Sequence, residues 1–448
     1  MSTVPSPPPP GRSGQMPPAG LFGAAFAEDP HGLYARLRAE WGPIAPVRVA
    51  PGVRAWLVLG YQEVLAVTRD VELFSSDARH WHATTTGWLP RDSPLLPMLG
   101  WRPALTRQDG PAHLRLRQAV FDALRRIDQQ RLRRVTARDA DALIDGWLRD
   151  GKADLIGRFA RPLSALTFTR LLGMPDRDGE RLHSLAGTVV DSAPGALAAD
   201  QEIRASLLRL VAARRAAPAE DIPSWLLNGR TGLSEAELVH QLAALVLNGL
   251  ESTTNLIGNT LAYVLARPHL LADLAAGRST VSDILDLALW AEPPLHNAGA
   301  RWATSDVTFA GQWIQTGDML VLALAGANAD PAVHHGADPR TPTASRAHLA
   351  WGAGPHACPA RDPALLVAES AIERLLQRVP ALTLAVDATT LAWRPSPWTR
   401  ALTTLPVHFP PAPRPEPDPD VTPPPARGTQ DAPRKPRATN WAWWNLDV

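Results

Sequence analysis

The stretch that most constrains the fold runs from Ser234 to the Arg267-Pro268 pair. Ser234 with Glu237 three residues later has the spacing of a capping box, in which side chains satisfy the orphan donors of a helix start. Leu238, Leu242, Leu245, Val246 and Leu247 follow with helical periodicity. Pro268 ends the run, because proline lacks the N–H and clashes with the preceding turn. The pattern predicts one helix of about 34 residues, which at ~1.5 Å per residue crosses a whole domain. Inside it lies Asn248-Gly249-Leu250-Glu251-Ser252-Thr253-Thr254. A glycine, an acid and three hydroxyls in mid-helix cost stability and compete for backbone groups. Such a breach of local rules inside a strong element marks a functional place.

The second constraint is Trp351-Gly352-Ala353-Gly354-Pro355-His356-Ala357-Cys358-Pro359-Ala360, which holds the only cysteine in 448 residues. A helical period follows in Leu365, Leu366, Ile372, Leu375 and Leu376. A thiol just before a helix start sees the positive end of the macrodipole and free N–H groups, which favours the thiolate. Glycines let the backbone approach a flat ligand closely. A thiolate held in this way suits a soft metal, haem iron among them. A lone cysteine is more often a small buried apolar residue, so its neighbours decide.

Those neighbours resemble the haem-binding loop of cytochromes P450, F-G-x-G-x-H-x-C-x-G, with Trp351 for the Phe and Ala360 for the last Gly. Three other stretches carry the same resemblance in the family's order. Asp109-Gly110-Pro111-Ala112-His113-Leu114-Arg115-Leu116-Arg117 resembles the C-helix motif D-G-x-x-H-x-x-x-R. Its His113 and Arg117 share a helix face at i, i+4, and in the family this pair holds a haem propionate. Asn248 to Ser252 resembles the I-helix motif A-G-x-[DE]-T, with Asn248 for Ala and Ser252 for Thr. The resemblance implies that Gly249 allows a kink beside the iron and that Glu251 and Ser252 relay protons to bound dioxygen. Arg301-Trp302-Ala303-Thr304-Ser305-Asp306-Val307 resembles the R-x-A-T-x-D-V strand whose Arg reaches a propionate.

One stretch departs. Asp283 to Pro294 resembles the K-helix and its E-P-P, but the family's E-x-x-R pair falls on Leu287 and Trp290. Asp283 and Asp286 are out of phase with it, and Arg340 is the candidate for the loop arginine that the pair would engage. Well-packed apolar groups can replace a buried ion network without loss of the fold, so apolar packing is expected at Leu287 and Trp290. An atypical bacterial group with Trp at the Arg position is the part of the family this chain looks like.

The implied fold is mainly α with a small β region, spanning residues 21–410. The implied cofactor is haem b, with Cys358 as its metal ligand and His113, Arg117, Gly249, Arg301, Trp351 and His356 around it. The implied reaction inserts one oxygen atom from O2 into a small organic substrate, with electrons from a ferredoxin-type donor and its reductase. A second reading is kept: a haem-binding regulatory or scaffold protein with little monooxygenase activity, motivated by the missing E-x-x-R. A cysteine hydrolase fails for want of a His/Asn partner pattern.

Composition narrows the setting. A net charge of +1 with both signs interspersed gives no field to recruit nucleic acid or an anionic membrane. One cysteine excludes an internal disulfide and fits a reducing compartment. No apolar run approaches the ~18–20 residues of a membrane span, and residues 1–20 lack a signal peptide's apolar core; the expectation is a cytoplasmic protein. Residues 1–20 and 411–448 are Pro-rich tails expected to stay unfolded. The second ends in Trp441, Trp443, Trp444 and Leu446, which are expected to dock on the core or on a protein partner.

Overall fold

The computed structural model describes residues 19–333 and 345–413. Its principal helices are α1 (Pro30–Trp41), α2 (Tyr61–Arg69), α3 (Gly110–Leu124), α4 (Gln129–Asp145), α5 (Arg161–Leu171), α6 (Gly179–Val190), α7 (Ala196–Ala216), α8 (Glu235–Leu265), α9 (Val281–Ala291) and α10 (Arg361–Arg378). The strands are β1 (Ala19–Gly20), β2 (Ile44–Ala50), β3 (Val53–Val58), β4 (Phe74–Ser75), β5 (Lys152–Asp154), β6 (Asn297–Ala303), β7 (Val307–Phe309), β8 (Gln312–Ile314), β9 (Met319–Ala323), β10 (Thr383–Leu384) and β11 (Pro406–His408). Helices dominate, as expected.

Helix α8 is the rod that the sequence predicts, 31 residues long and so about 46 Å end to end. Its capping box forms in both directions: Glu237 N donates to Ser234 Oγ at 3.3 Å, and Ser234 N to Glu237 Oε2 at 2.9 Å. The rod joins two apolar clusters. Leu238 to Leu250 pack with α3, α6 and α7, including Leu116, Val189 and Leu207. Leu256 to Leu265 pack with α9 and α10 and with Trp147 and Phe159. The polar interval Glu251 to Asn255 falls between the two, which is where the local rules break.

The larger sheet has the order β1-β2-β3-β9-β6-β4. β3 runs parallel to β9, with Trp56 opposite Leu320, and β6 runs antiparallel to β9, with Arg301 opposite Leu320. That register turns Arg301 inward. Ala19 and Gly20 pair with Val47 and Arg48, so the folded body takes in the last two residues assigned to the N-terminal tail. Trp393 and Leu402 form an isolated antiparallel bridge, and β11 pairs with β5 and β10. The tryptophans at 441–444 and Arg340 lie outside the described residues.

Helix α9 corrects one expectation. Asp283 is spent on a capping box with Thr280. Trp290 is buried, as expected, but the contact is not purely apolar. Its indole N–H donates to Ser345 O at 2.7 Å, and its ring meets His348 edge-on at 6.0 Å. Asp286, out of phase with the family's acid, still bridges to the loop: Arg346 Nε lies 2.8 Å from Oδ2 and His348 Nε2 3.5 Å from Oδ1. The helix is therefore tied to the loop before Cys358 by one acid and one indole donor. Leu287 is only half-buried, because its side of α9 is not fully covered.

Candidate active site

The cysteine loop is set by its glycines. Gly352 and Gly354 both have positive φ, 68° and 65°, a region that costs other residues strain. A Cβ on Gly354 would also meet Thr68 O at 2.3 Å. That close approach to α2 requires glycine at this position. Cys358 N donates to Trp351 O at 2.8 Å and closes the loop, two residues before the cap of α10. Burial pushes the Cys358 thiol up, against the pull of the Ala360 backbone and of Arg117.

Cationic groups converge beside that loop. Asp109, at the N-cap of α3, fastens three elements together. Its Oδ2 accepts from Ser75 Oγ and Ser76 N, both at 2.7 Å, and its Oδ1 from His356 Nε2 at 2.9 Å. Burial pushes the Asp109 carboxyl up, but these hydrogen bonds outweigh it and hold it at about 2. His113 stacks on His356 with ring centroids 4.0 Å apart. Burial, then His356 and Arg117, lower His113 to about 4, so both rings stay neutral near pH 7. Arg117 Nη1 donates to Ala357 O at 2.7 Å, which makes it a brace for the loop. Arg301 is buried, and burial lowers it to about 10 with only Asp109 opposing. Arg107, which the sequence reading missed, is lowered to about 9 by burial and by Arg301 and Arg102. Its one sequence signal is its place two residues before Asp109.

These groups fit a haem. Buried His113 Nε2, Arg301 Nε and Trp351 Nε1 have no hydrogen-bond partner among the described residues, which is costly unless a ligand answers them. Arg107 and Arg301 are both buried, Arg301 adds to the lowering of Arg107, and the Asp109 carboxylate offsets Arg301 alone, so an anionic ligand such as a propionate would relieve the cluster. The only cysteine stands beside it.

On α8, the helix runs unbroken through Gly249. Its missing side chain makes room for Phe168: a Cβ would meet that ring at 2.3 Å. Glu251 is buried and bound to Arg394, whose Nη2 donates to Oε2 at 2.6 Å. Arg394 also pairs with Asp191 at 2.7 Å, which burial raises. His183 Nδ1 faces Glu251 Oε1 at 3.2 Å, and its Nε2 lies 2.8 Å from Thr254 Oγ1. Burial lowers His183 to about 4. Ser252, one residue on, is half-buried. Nothing local in the sequence marks His183, Asp191 or Arg394, because they reach Glu251 from α6, its end and the segment after α10.

Comparison with protein-family models finds no match. The chain is 34% identical over 403 residues to cytochrome P450 monooxygenase PikC of Streptomyces venezuelae, covering 87% of this chain and 93% of that protein. It is 31% identical over 397 residues to the mycinamicin IV hydroxylase/epoxidase of Micromonospora griseorubida, covering 85% and 96%. Its fold matches CYP154C4 from Streptomyces sp. W2061 with a TM-score of 0.81 at 27% identity, over 88% of this chain and 98% of that one. Relatives named as monooxygenase and hydroxylase favour the catalytic reading over a regulatory haem protein. With the cysteine loop, the buried cations and near full-length identity in agreement, the chain belongs to the cytochrome P450 family.

Proposed function

We propose that Cys358 ligates haem b and that Arg301, His113, His356 and Arg107 hold its propionates, with Arg117 acting through the loop backbone. The reading rests on one observation: buried cations and orphaned donors converge on the only cysteine. Thiolate-bound haem supplies the dioxygen activation by which such an enzyme inserts one oxygen atom into a small organic substrate. The protein must hold the group, keep water away and bring protons.

Proton supply falls to the polar interval of α8. Thr254 Oγ1 donates to Leu250 O at 3.1 Å, so the 2.8 Å contact is made by His183 Nε2–H. His183 Nδ1 faces Glu251 Oε1 across 3.2 Å, close enough for a proton to pass between ring and carboxylate. Arg394, a third exposed, links this buried pair to the surface. Glu251 and Ser252 lie at the inner end of the route, and Gly249 leaves room beside them. Electrons come from a ferredoxin-type donor, since the single cysteine cannot hold an iron–sulfur cluster of its own. Among the described residues no helix is long and apolar enough to cross a membrane; a reducing cytoplasm suits the free thiol. Docking of the C-terminal tryptophans on a protein partner belongs to the same reading.

The test is substrate-dependent consumption of NAD(P)H by haem-loaded protein with a ferredoxin and reductase. Glu251→Gln and Ser252→Ala should each slow it by ~10²-fold, the scale of lost general acid catalysis. Full rates in both variants would remove these residues from proton delivery.

A further inference from the structure

We propose that His31, Glu292 and His296 form a binding site for a divalent transition metal, Zn²⁺ in particular, separate from the haem cradle. The three come from different elements: His31 from the first turn of α1, Glu292 from the C-cap of α9, and His296 from just before β6. Their ligand atoms all lie within 4.8 Å of one another. His31 Nε2 is 3.2 Å from Glu292 Oε1, and His296 Nε2 is 3.2 Å from Oε2. Ligands at ~2.0–2.1 Å around a tetrahedral zinc stand roughly 3.3 Å apart, so both contacts already have the spacing that a shared ion requires.

The surroundings are those of a built site. Arg400 Nε donates to Glu292 Oε2 at 3.2 Å, the kind of outer hydrogen bond that orients a ligating carboxylate. Asn259 Nδ2 fixes the backbone of both, donating to Glu292 O at 3.1 Å and Arg400 O at 2.9 Å. His296 is nearly fully buried, whereas the side chains of His31 and Glu292 are 26% and 25% exposed. The ion would enter past His31, and water would take the fourth position. The donor set selects the metal. Two imidazoles and one carboxylate, with Arg400 offsetting the carboxylate charge, are poor for Ca²⁺ or Mg²⁺, which want several oxygens. They suit Zn²⁺ and its neighbours. The ion would pin α1 to the end of α9 and the start of β6, elements that otherwise meet here through hydrogen bonds and ring contacts.

The test uses untagged, haem-loaded full-length protein, so that neither a histidine tag nor Cys358 takes up the metal. After treatment with a chelator it is equilibrated with Zn²⁺ and gel-filtered, zinc and iron are measured, and the affinity is read by titration calorimetry. One zinc per haem is expected. His31→Gln, at a partly exposed position that leaves the fold intact, should raise Kd at least about 100-fold with haem content and spectrum unchanged. His296→Gln should do the same. Substoichiometric zinc in the parent, or equal zinc in parent and His31→Gln, would overturn the site and leave the trio as a hydrogen-bonded cluster. Neither result touches the haem assignment, which iron content and the Soret band report separately.

Discussion

Trp290→Ala is expected to destabilise the haem-loaded protein by about 3–5 kcal/mol, the cost of deleting a buried indole from a packed core. The residue is 7% exposed and its ring is flanked by His348 of the loop before Cys358. Trp290→Phe separates volume from hydrogen bonding. It keeps most of the ring but removes the donor to Ser345 O. Ser345 is exposed, so water replaces that donor and the loss stays near ~1 kcal/mol. Asp286→Asn should cost less than about 1 kcal/mol, because the Arg346 partner is 61% exposed and screened. The assay is equilibrium unfolding in guanidinium, followed by far-UV circular dichroism and by the Soret band. Because residues 345–348 lead into the cysteine loop, Trp290→Ala should lose the Soret band at lower denaturant than the parent. If Trp290→Ala unfolds within ~1 kcal/mol of the parent, the packing argument fails. If Trp290→Phe is as damaged as Trp290→Ala, the hydrogen bond, not the ring volume, carries the site.

Cys358→Ala should abolish the red-shifted carbon monoxide band of a thiolate haem; retention of that band would refute the ligand assignment. Arg301→Ala should weaken haem retention, measured by transfer to apomyoglobin, at least tenfold more than Arg115→Ala. Arg115 is exposed and pairs with Glu237 on the surface, so equal losses would reduce the propionate reading to general charge. His183 is buried and lowered to about 4 from an unfolded value near 6.5, so the unfolded chain binds more protons between those values. Its contribution is fully present above pH 6.5 and lost as pH falls toward 4, about 1.4 kcal/mol of it by pH 5.5. Relative to His183→Asn, the parent should lose that much between pH 7.5 and 5.5 in urea unfolding; a constant difference would refute it. Leu287→Glu should cost only about 1–2 kcal/mol, since a half-buried position lets the carboxylate reach water.

The chain's local grammar carried the long helix: the capping box and the proline stop brought its expected ends to within a few residues of Ser234 and Leu265. It also carried the cysteine loop, because residue order there is dictated by two positive-φ turns. What stayed hidden was set by distant partners. Asp286 looked out of phase because its partners, Arg346 and His348, come from a loop that no period within α9 can reveal. Arg394 and His183 meet Glu251 only after α6 and the segment after α10 have packed on α8. At Gly249, nothing within the helix announces the ring of Phe168 that packs into the space of the missing side chain. The basic character of α3 was visible, but the division of labour was not: Arg117 braces a carbonyl while Arg301 and Arg107 stay buried as cations.

The clasp around the cysteine loop joins residues very far apart in the chain: His356 to Asp109 across 247 positions and Arg117 to Ala357 across 240. Contacts of that range form late, after loop-closure entropy has been met by the rest of the fold. On the ribosome the delay is literal, since ~240 residues at ~5–20 residues per second take about 12–50 s. Through that interval Asp109 and Arg117 lack their loop partners, and haem that arrives finds no thiol opposite it. Once the loop closes, haem acts by mass action on a finished receptacle and draws the population toward the folded state. Haem supplied after chain completion is therefore expected to raise the folded fraction, with the apparent stability rising as free haem rises.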